Sequence, residues 1–110
     1  MTAAGGFHYD VENSQDKFSN RVTKINCHGR LVNDTARQLK DAVKQRIPEG
    51  GRILIDLADV EHLDSSGLGT LVGLKMSALN AGYCTLELVN LSPRIADLLR
   101  ITKLTQLFEG

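Results

Sequence analysis

The spacing of apolar residues at the start of the chain predicts two short strands. Apolar side chains alternate with polar ones over residues 7–11, as in a strand with one buried face. Residues 18–27 form a second strand candidate, and the polar stretch 13–16 between the two predicts a turn. The two segments are therefore expected to pair as an antiparallel hairpin, which Gly29 ends.

After the hairpin, helix-like and strand-like segments alternate. Asn33 is a favourable N-cap for a first helix. Residues 53–57 are almost entirely apolar, which is typical of a central parallel strand covered by helices. A second helix is predicted over about residues 66–80, a strand over 84–89, and a third helix after Ser92.

The helix predicted over residues 66–80 carries an apolar stripe that is expected to face the core. The stripe consists of Leu68, Leu71, Val72, Met76 and Leu79. Lys75 lies within it, so its side chain must either extend past the stripe to water or mark the edge of the stripe. Away from the stripe, Gly69, Gly73 and Ser77 recur every four residues. This ridge of small residues either admits the backbone of a partner or fits a crowded helix–sheet contact.

The order of these elements predicts an α/β fold. It is a mixed β-sheet with an N-terminal antiparallel hairpin, parallel later strands, right-handed crossovers and α-helices packed on the sheet. Residues 1–6 are expected to be a flexible N-terminal tail, and residues 7–110 a single domain.

Composition excludes several classes of function. Thirteen basic residues balance thirteen acidic ones and only 5% of the chain is aromatic, so no surface for nucleic acid is expected. No apolar run is long enough for a membrane span and no signal peptide is visible, which favours a cytoplasmic protein with no membrane partner. Cys27 and Cys84 are expected to be reduced core residues, with a disulfide between them as the alternative.

The stretch from Asp64 to Gly69, Asp-Ser-Ser-Gly-Leu-Gly, carries the most specific chemistry. It joins the strand at 53–57 to the following helix. Such a junction presents free backbone N–H groups and a small hydroxyl at one exposed point, where a phosphate can be accepted or held. The simpler interpretation is helix capping alone, since Asp64, Ser65 and Ser66 are all good N-cap types.

Other chemistries lack the residues they need. His62 and Asp64 have no third or fourth ligand spaced to complete a metal site. The Gly-x-Ser-x-Gly elbow of serine hydrolases, the dinucleotide fingerprint and the Gly-Lys-Ser/Thr phosphate loop are all missing. No catalytic residue, metal or cofactor is therefore predicted.

The Asp64–Gly69 motif, placed after this strand, closely resembles the STAS domain, in particular that of bacterial anti-sigma factor antagonists. The likeness extends to residues 29–31, to Gly73, and to residues 86–90 and 95–102. It therefore covers nearly the whole chain.

The resemblance implies a partner switch. An anti-sigma factor with serine kinase activity would bind the unmodified chain and release its sigma factor, then phosphorylate Ser65; a PP2C-type phosphatase would reverse the step. The residues implied or expected at the partner surface are Asp64, Ser66, Gly67, Gly69, Thr70, Gly73, Ser77, Asn33 and Asp34. Val32 stands where the family often has an acidic residue, and Asp34 is a substitute for that residue if the backbone shifts.

Two other functions remain open at this point. The chain could be a STAS scaffold or subunit of a stress-signalling or transporter-associated complex, or a module that binds a small ligand or nucleotide at the helix N-terminus. As an antagonist it is expected to be a monomer or weak dimer and not itself an enzyme.

Overall fold

Four strands form one mixed sheet in the computed structural model, which describes residues 6–109. They are β1 (Phe7–Gln15), β2 (Arg21–Leu31), β3 (Gly51–Leu63) and β4 (Cys84–Val89), and they lie in this order across the sheet. β1 and β2 are antiparallel, whereas the β2–β3 and β3–β4 pairs are parallel. The predicted fold class is confirmed. Residues 1–5 of the predicted tail lie outside the described residues.

In the described part of the chain, four α-helices accompany the sheet: α1 (Ala36–Lys44), α2 (Ser65–Ala81), α3 (Pro93–Ile101) and α4 (Thr105–Glu109). A 3₁₀ turn, Ile47–Glu49, follows α1. The largest fully buried side chains come from β2, β3, β4, α1 and α2, and each contributes about 1.5–3 kcal/mol through burial. They include Ile25, Leu31, Leu39, Ile53, Ile55, Leu57, Leu71, Leu74 and Leu86.

Both cysteines are free thiols inside this core, as predicted. Burial raises the pKa of the Cys27 thiol to about 12, so the group stays protonated at neutral pH. Cys27 therefore serves as a small apolar core residue.

The hairpin is longer than the sequence pattern predicts. β1 continues to Gln15, and the turn is formed at residues 16–20, where the Asp16 side chain accepts hydrogen bonds from the N–H groups of Phe18 and Asn20. Gly29 does not end β2, contrary to the prediction. It lies inside the strand at φ +98°, next to a shift in the β2–β3 register, a conformation that favours glycine.

The prediction of Asn33 as the N-cap of α1 is wrong. The helix begins two residues later, after Thr35, and no side chain caps it. The Thr35 hydroxyl donates to the carbonyl of Arg30 and accepts from the N–H of Val32 at 3.0 Å, which closes a turn before the helix starts. Asn33 is thereby left in an exposed loop beside Asp64.

The apolar stripe predicted for α2 does not face the core as a whole. The buried residues of the helix are Gly67, Leu71, Leu74, Lys75 and Ala78. Met76 and Leu79 are 45% and 55% exposed. Because α2 is apolar on two sides, periodicity alone did not identify the inner one.

Gly67 decides which side of α2 faces the sheet. A Cβ at this position would collide with the carbonyl oxygen of Leu31 and lie 2.8 Å from a methyl group of Leu63. The first turn of α2 therefore packs directly on the end of β2. This contact sets Ser65 on the side of the helix that faces away from the sheet.

Candidate functional site

Asp64 organises the junction between β3 and α2. It is the N-cap of α2, and its Oδ1 accepts the backbone N–H of Gly67 at 2.8 Å. Its Oδ2 accepts the backbone N–H of Asn33 at 3.1 Å. The hydrogen bond from Gly67 above all, together with that from Asn33, holds the pKa of the Asp64 carboxyl below its ordinary value. This carboxylate is therefore ionised and fixed at neutral pH.

Ser65 is the first residue of α2, and its side chain is exposed. Within the described residues its hydroxyl is not hydrogen-bonded to any other group, because the capping is done by Asp64. Ser65 is thus dispensable for capping the helix and accessible to another protein. A serine used only as a cap would instead bond to the first turn.

Ser66 and Gly67 have different roles from Ser65. The Ser66 side chain is half-buried, and its hydroxyl donates to the side-chain oxygen of Asn33 at 3.3 Å. Gly67 is buried against Leu31, so it is excluded from the surface on which the resemblance placed it. Of the two serines in the motif, Ser65 is the more exposed, and Ser66 is partly covered.

The side of α2 that carries Ser65 also carries Gly69, Val72 and Met76, spaced four, seven and eleven residues further on; we call these four residues the outer face. Among the described residues, no atom outside the adjoining backbone of α2 lies within 4 Å of a Cβ placed on Gly69, and the same holds for Gly73 beside it. The interpretation of these glycines as helix–sheet packing residues is therefore wrong. Of the other predicted surface residues, Thr70 and Ser77 are half-buried.

A depression of about 400 Å³ adjoins Asp64 on the side of the Asn33 loop. Its wall includes Asn33, Asp34 and Val32, so the predicted loop residues do lie beside the motif. Arg30 and His62 also line it, as neighbours in the parallel pairing of β2 with β3. Sequence reasoning missed Arg30, which the strand pairing alone brings to this place.

The described residues offer no metal site. In residues 6–109, no group of three or more His, Cys, Asp or Glu side chains is arranged to bind an ion. His62 lies at the end of β3, exposed. In the same part of the chain, no helix combines the length and the apolar character needed to cross a bilayer.

Comparison with known proteins identifies the family. A family model described as "Mlab, STAS domain" matches residues 14–109. The anti-sigma-B factor antagonist of Listeria monocytogenes is 37% identical over 76 residues, which span 68% of this chain and 66% of the relative. The protein of the same name from Staphylococcus aureus is 34% identical over 95 residues, or 86% of this chain and 83% of the relative.

The fold is shared with the Bacillus protein SpoIIAA. Its structures in the unphosphorylated and phosphorylated forms have TM-scores of 0.70 and 0.66 to this chain, each at 22% identity. The matches cover 91% of this chain in both cases, and 84% and 87% of SpoIIAA. The chain belongs to the STAS domain family.

Proposed function

We propose that this chain is an anti-sigma factor antagonist whose Ser65 is phosphorylated by the anti-sigma factor it binds. The relatives named as anti-sigma-B factor antagonists support the class of function. The observation that carries the proposal is that Ser65 is exposed at the start of α2 and that, within the described residues, its hydroxyl forms no hydrogen bond. The helix is capped by the neighbouring Asp64 instead. A PP2C-type phosphatase restores the unmodified serine.

The outer face of α2 supports a protein as the partner. Met76 is 45% exposed and Val72 is half-buried, yet neither is needed to fill the core. Val72 and Met76 are neighbours four residues apart on α2, and contiguous exposed apolar side chains are typical of protein-binding surfaces. Gly69 and Gly73 lie on the same side and let a partner approach the helix backbone. We assign the outer face, Gly73 and the loop residues Asn33 and Asp34 to the partner surface.

Charge at position 65 provides the switch. A phosphoserine carries about −1.5 to −2 charges at neutral pH. Two like charges about 4 Å apart repel by about 4 kcal/mol at an effective dielectric near 20, and a third of that lowers affinity roughly tenfold. Phosphorylation of Ser65 therefore expels an acidic or closely packed partner without refolding of the domain.

The domain tolerates this charge because Ser65 lies at the N-terminal end of α2, where the helix dipole favours an anion. The neighbouring Asp64 opposes the phosphate, and the two effects largely cancel. The cap itself survives, since it depends on Asp64 and the Gly67 N–H and not on the Ser65 hydroxyl.

Mass spectrometry of the chain incubated with its cognate kinase and ATP tests the site. We expect one phosphate on the wild type and on Ser66→Ala, and none on Ser65→Ala. The Ser66→Ala variant is the matched control, because it alters the adjacent hydroxyl that donates to Asn33. Phosphate on Ser66, or on Ser65→Ala, would contradict the assignment.

In this proposal the chain is a substrate of a kinase and a phosphatase and is not itself an enzyme. Since the kinase uses ATP, the switch operates in the cytoplasm. The chain acts as a monomer or weak dimer, which sedimentation at micromolar concentration checks.

A further inference from the structure

A buried lysine lies on the inner side of α2, away from the outer face. Lys75 is only 6% exposed, and its Nζ donates to the carbonyl oxygen of Leu86 in β4 at 2.9 Å. An ammonium has three N–H donors, so this bond leaves two unused. Among the side chains described in residues 6–108, none forms an ion pair with Lys75.

The side chain of Lys75 forms part of the wall of a cavity of about 330 Å³ between α2, β4 and α4. The remaining wall includes the apolar side chains of Ala78, Leu79, Leu86 and Phe108, and it is completed by Cys84, Thr85 and Glu87. Among the side chains described in residues 6–108, Glu87 is the only carboxylate in the wall, and Arg52 holds it at 3.1 Å. The cavity therefore combines a buried cation with a cluster of apolar side chains in a mixed lining, and it has the volume of a small-ligand site.

We propose that this cavity binds a small monocarboxylate with a short apolar body, whose carboxylate pairs with Lys75. Burying a cation without a counter-ion is costly, and a bound carboxylate would accept the two spare N–H groups. A single lysine matches the single charge of a carboxylate better than the double charge of a phosphate. The site is independent of Ser65 and of the switch proposed above.

The alternative role for Lys75 is purely structural: it donates a hydrogen bond to a backbone carbonyl of β4, which is an edge strand of the sheet. That role needs one N–H donor and no positive charge. A neutral N–H donor at position 75 can therefore fulfil the structural role, but it cannot pair with a bound carboxylate.

Hexanoate is the probe that tests the proposal, titrated into ¹⁵N-labelled full-length chain and followed by amide shifts. We expect saturable shifts at Ala78, Leu86 and Phe108, and at least tenfold weaker binding to Lys75→Gln and Lys75→Met, since both remove the charge. Lys40→Gln is the control, because Lys40 is an exposed lysine on α1 and its loss should leave hexanoate binding unchanged.

1-Hexanol and inorganic phosphate are the companion ligands. Equal binding of 1-hexanol would show that only the apolar lining matters, and equal binding of phosphate would show the wrong class of anion; either result overturns the proposal. So would hexanoate binding that survives in Lys75→Gln, or the lack of any shift at about 10 mM. Should Lys75→Met fail to fold, the comparison between the wild type and Lys75→Gln decides.

Discussion

The Asp64 carboxylate joins two segments that are 31 residues apart in the chain: it accepts the backbone N–H of Asn33 at 3.1 Å while it caps α2 through Gly67. The loop beside α1 and the start of α2 are thus held in one arrangement. Ser65 lies directly after this link, so the serine and the Asn33 loop form one surface, to which we propose that the partner binds.

Replacing Asp64 tests this link. Asp64→Ala removes both acceptors, and we expect the melting temperature to fall by about 5 °C, whereas Asp64→Asn keeps one side-chain oxygen and loses less. The pKa of Asp64 is lower folded than unfolded, so its contribution is present above about pH 4 and is lost as the pH falls through the folded-state pKa. Thermal melts of the wild type and Asp64→Ala at pH 7 and pH 3 check this. An equal fall in melting temperature at both pH values would contradict it.

Substituting alanine for two glycines of α2, one at a time, distinguishes a role in packing from a role in partner binding. Gly67→Ala places a methyl group against the Leu31 carbonyl and should cost about 1–3 kcal/mol of unfolding free energy. Gly69→Ala meets no neighbouring atom and should stabilise the helix by about 0.5–1 kcal/mol, yet weaken partner binding roughly tenfold. Urea unfolding and affinity for the anti-sigma factor measure the two effects. A Gly69→Ala chain that binds normally would remove Gly69 from the partner surface.

The exposed methionine of α2 should matter for binding but little for stability. Met76→Gln keeps the side-chain length while removing apolar contact area, and we expect affinity for the anti-sigma factor to fall about tenfold with unfolding free energy changed by less than about 0.5 kcal/mol. Ile101→Gln is the matched control, because Ile101 is an exposed apolar residue on α3. Equal losses in the two variants would argue against a specific role for the outer face.

His28 lies on the other side of the sheet, and we expect its contribution to stability to depend on pH. Its Nδ1 lies 2.7 Å from Asp59 and its Nε2 2.9 Å from Asp10, so it connects β1, β2 and β3. The hydrogen bond to Asp59 first, and then that to Asp10, raises the pKa of His28. The contribution is therefore complete below the unfolded pKa near 6.5 and is lost as the pH rises through the higher folded pKa.

The matching measurement compares wild type with His28→Gln. The difference in melting temperature should be largest at about pH 6 and should shrink at about pH 9. A difference that grows with pH would contradict the assignment of a charged imidazole between the two aspartates.

Local sequence predicted the strand-to-helix junction and the exposure of Ser65, but it left open which of Asp64, Ser65 and Ser66 caps α2. The inner side of α2 was mispredicted because Leu71 and Met76 look equivalent in the apolar pattern, and only the contact of Gly67 with Leu31 separates them. That contact joins distant segments, as does the Asp64–Asn33 hydrogen bond, so no local pattern reveals either. Arg30 also reaches the site only through the pairing of β2 with β3, so the local sequence does not predict its place there.

The central claim is that a phosphate on Ser65 removes the partner and leaves the fold intact. The most direct measurement is the affinity of the anti-sigma factor for unmodified and phospho-Ser65 chains, each with its melting temperature. We predict a loss of affinity of at least tenfold with the melting temperature changed by less than about 5 °C. Equal affinity for both forms, or a phosphorylated chain that no longer folds, would contradict the account.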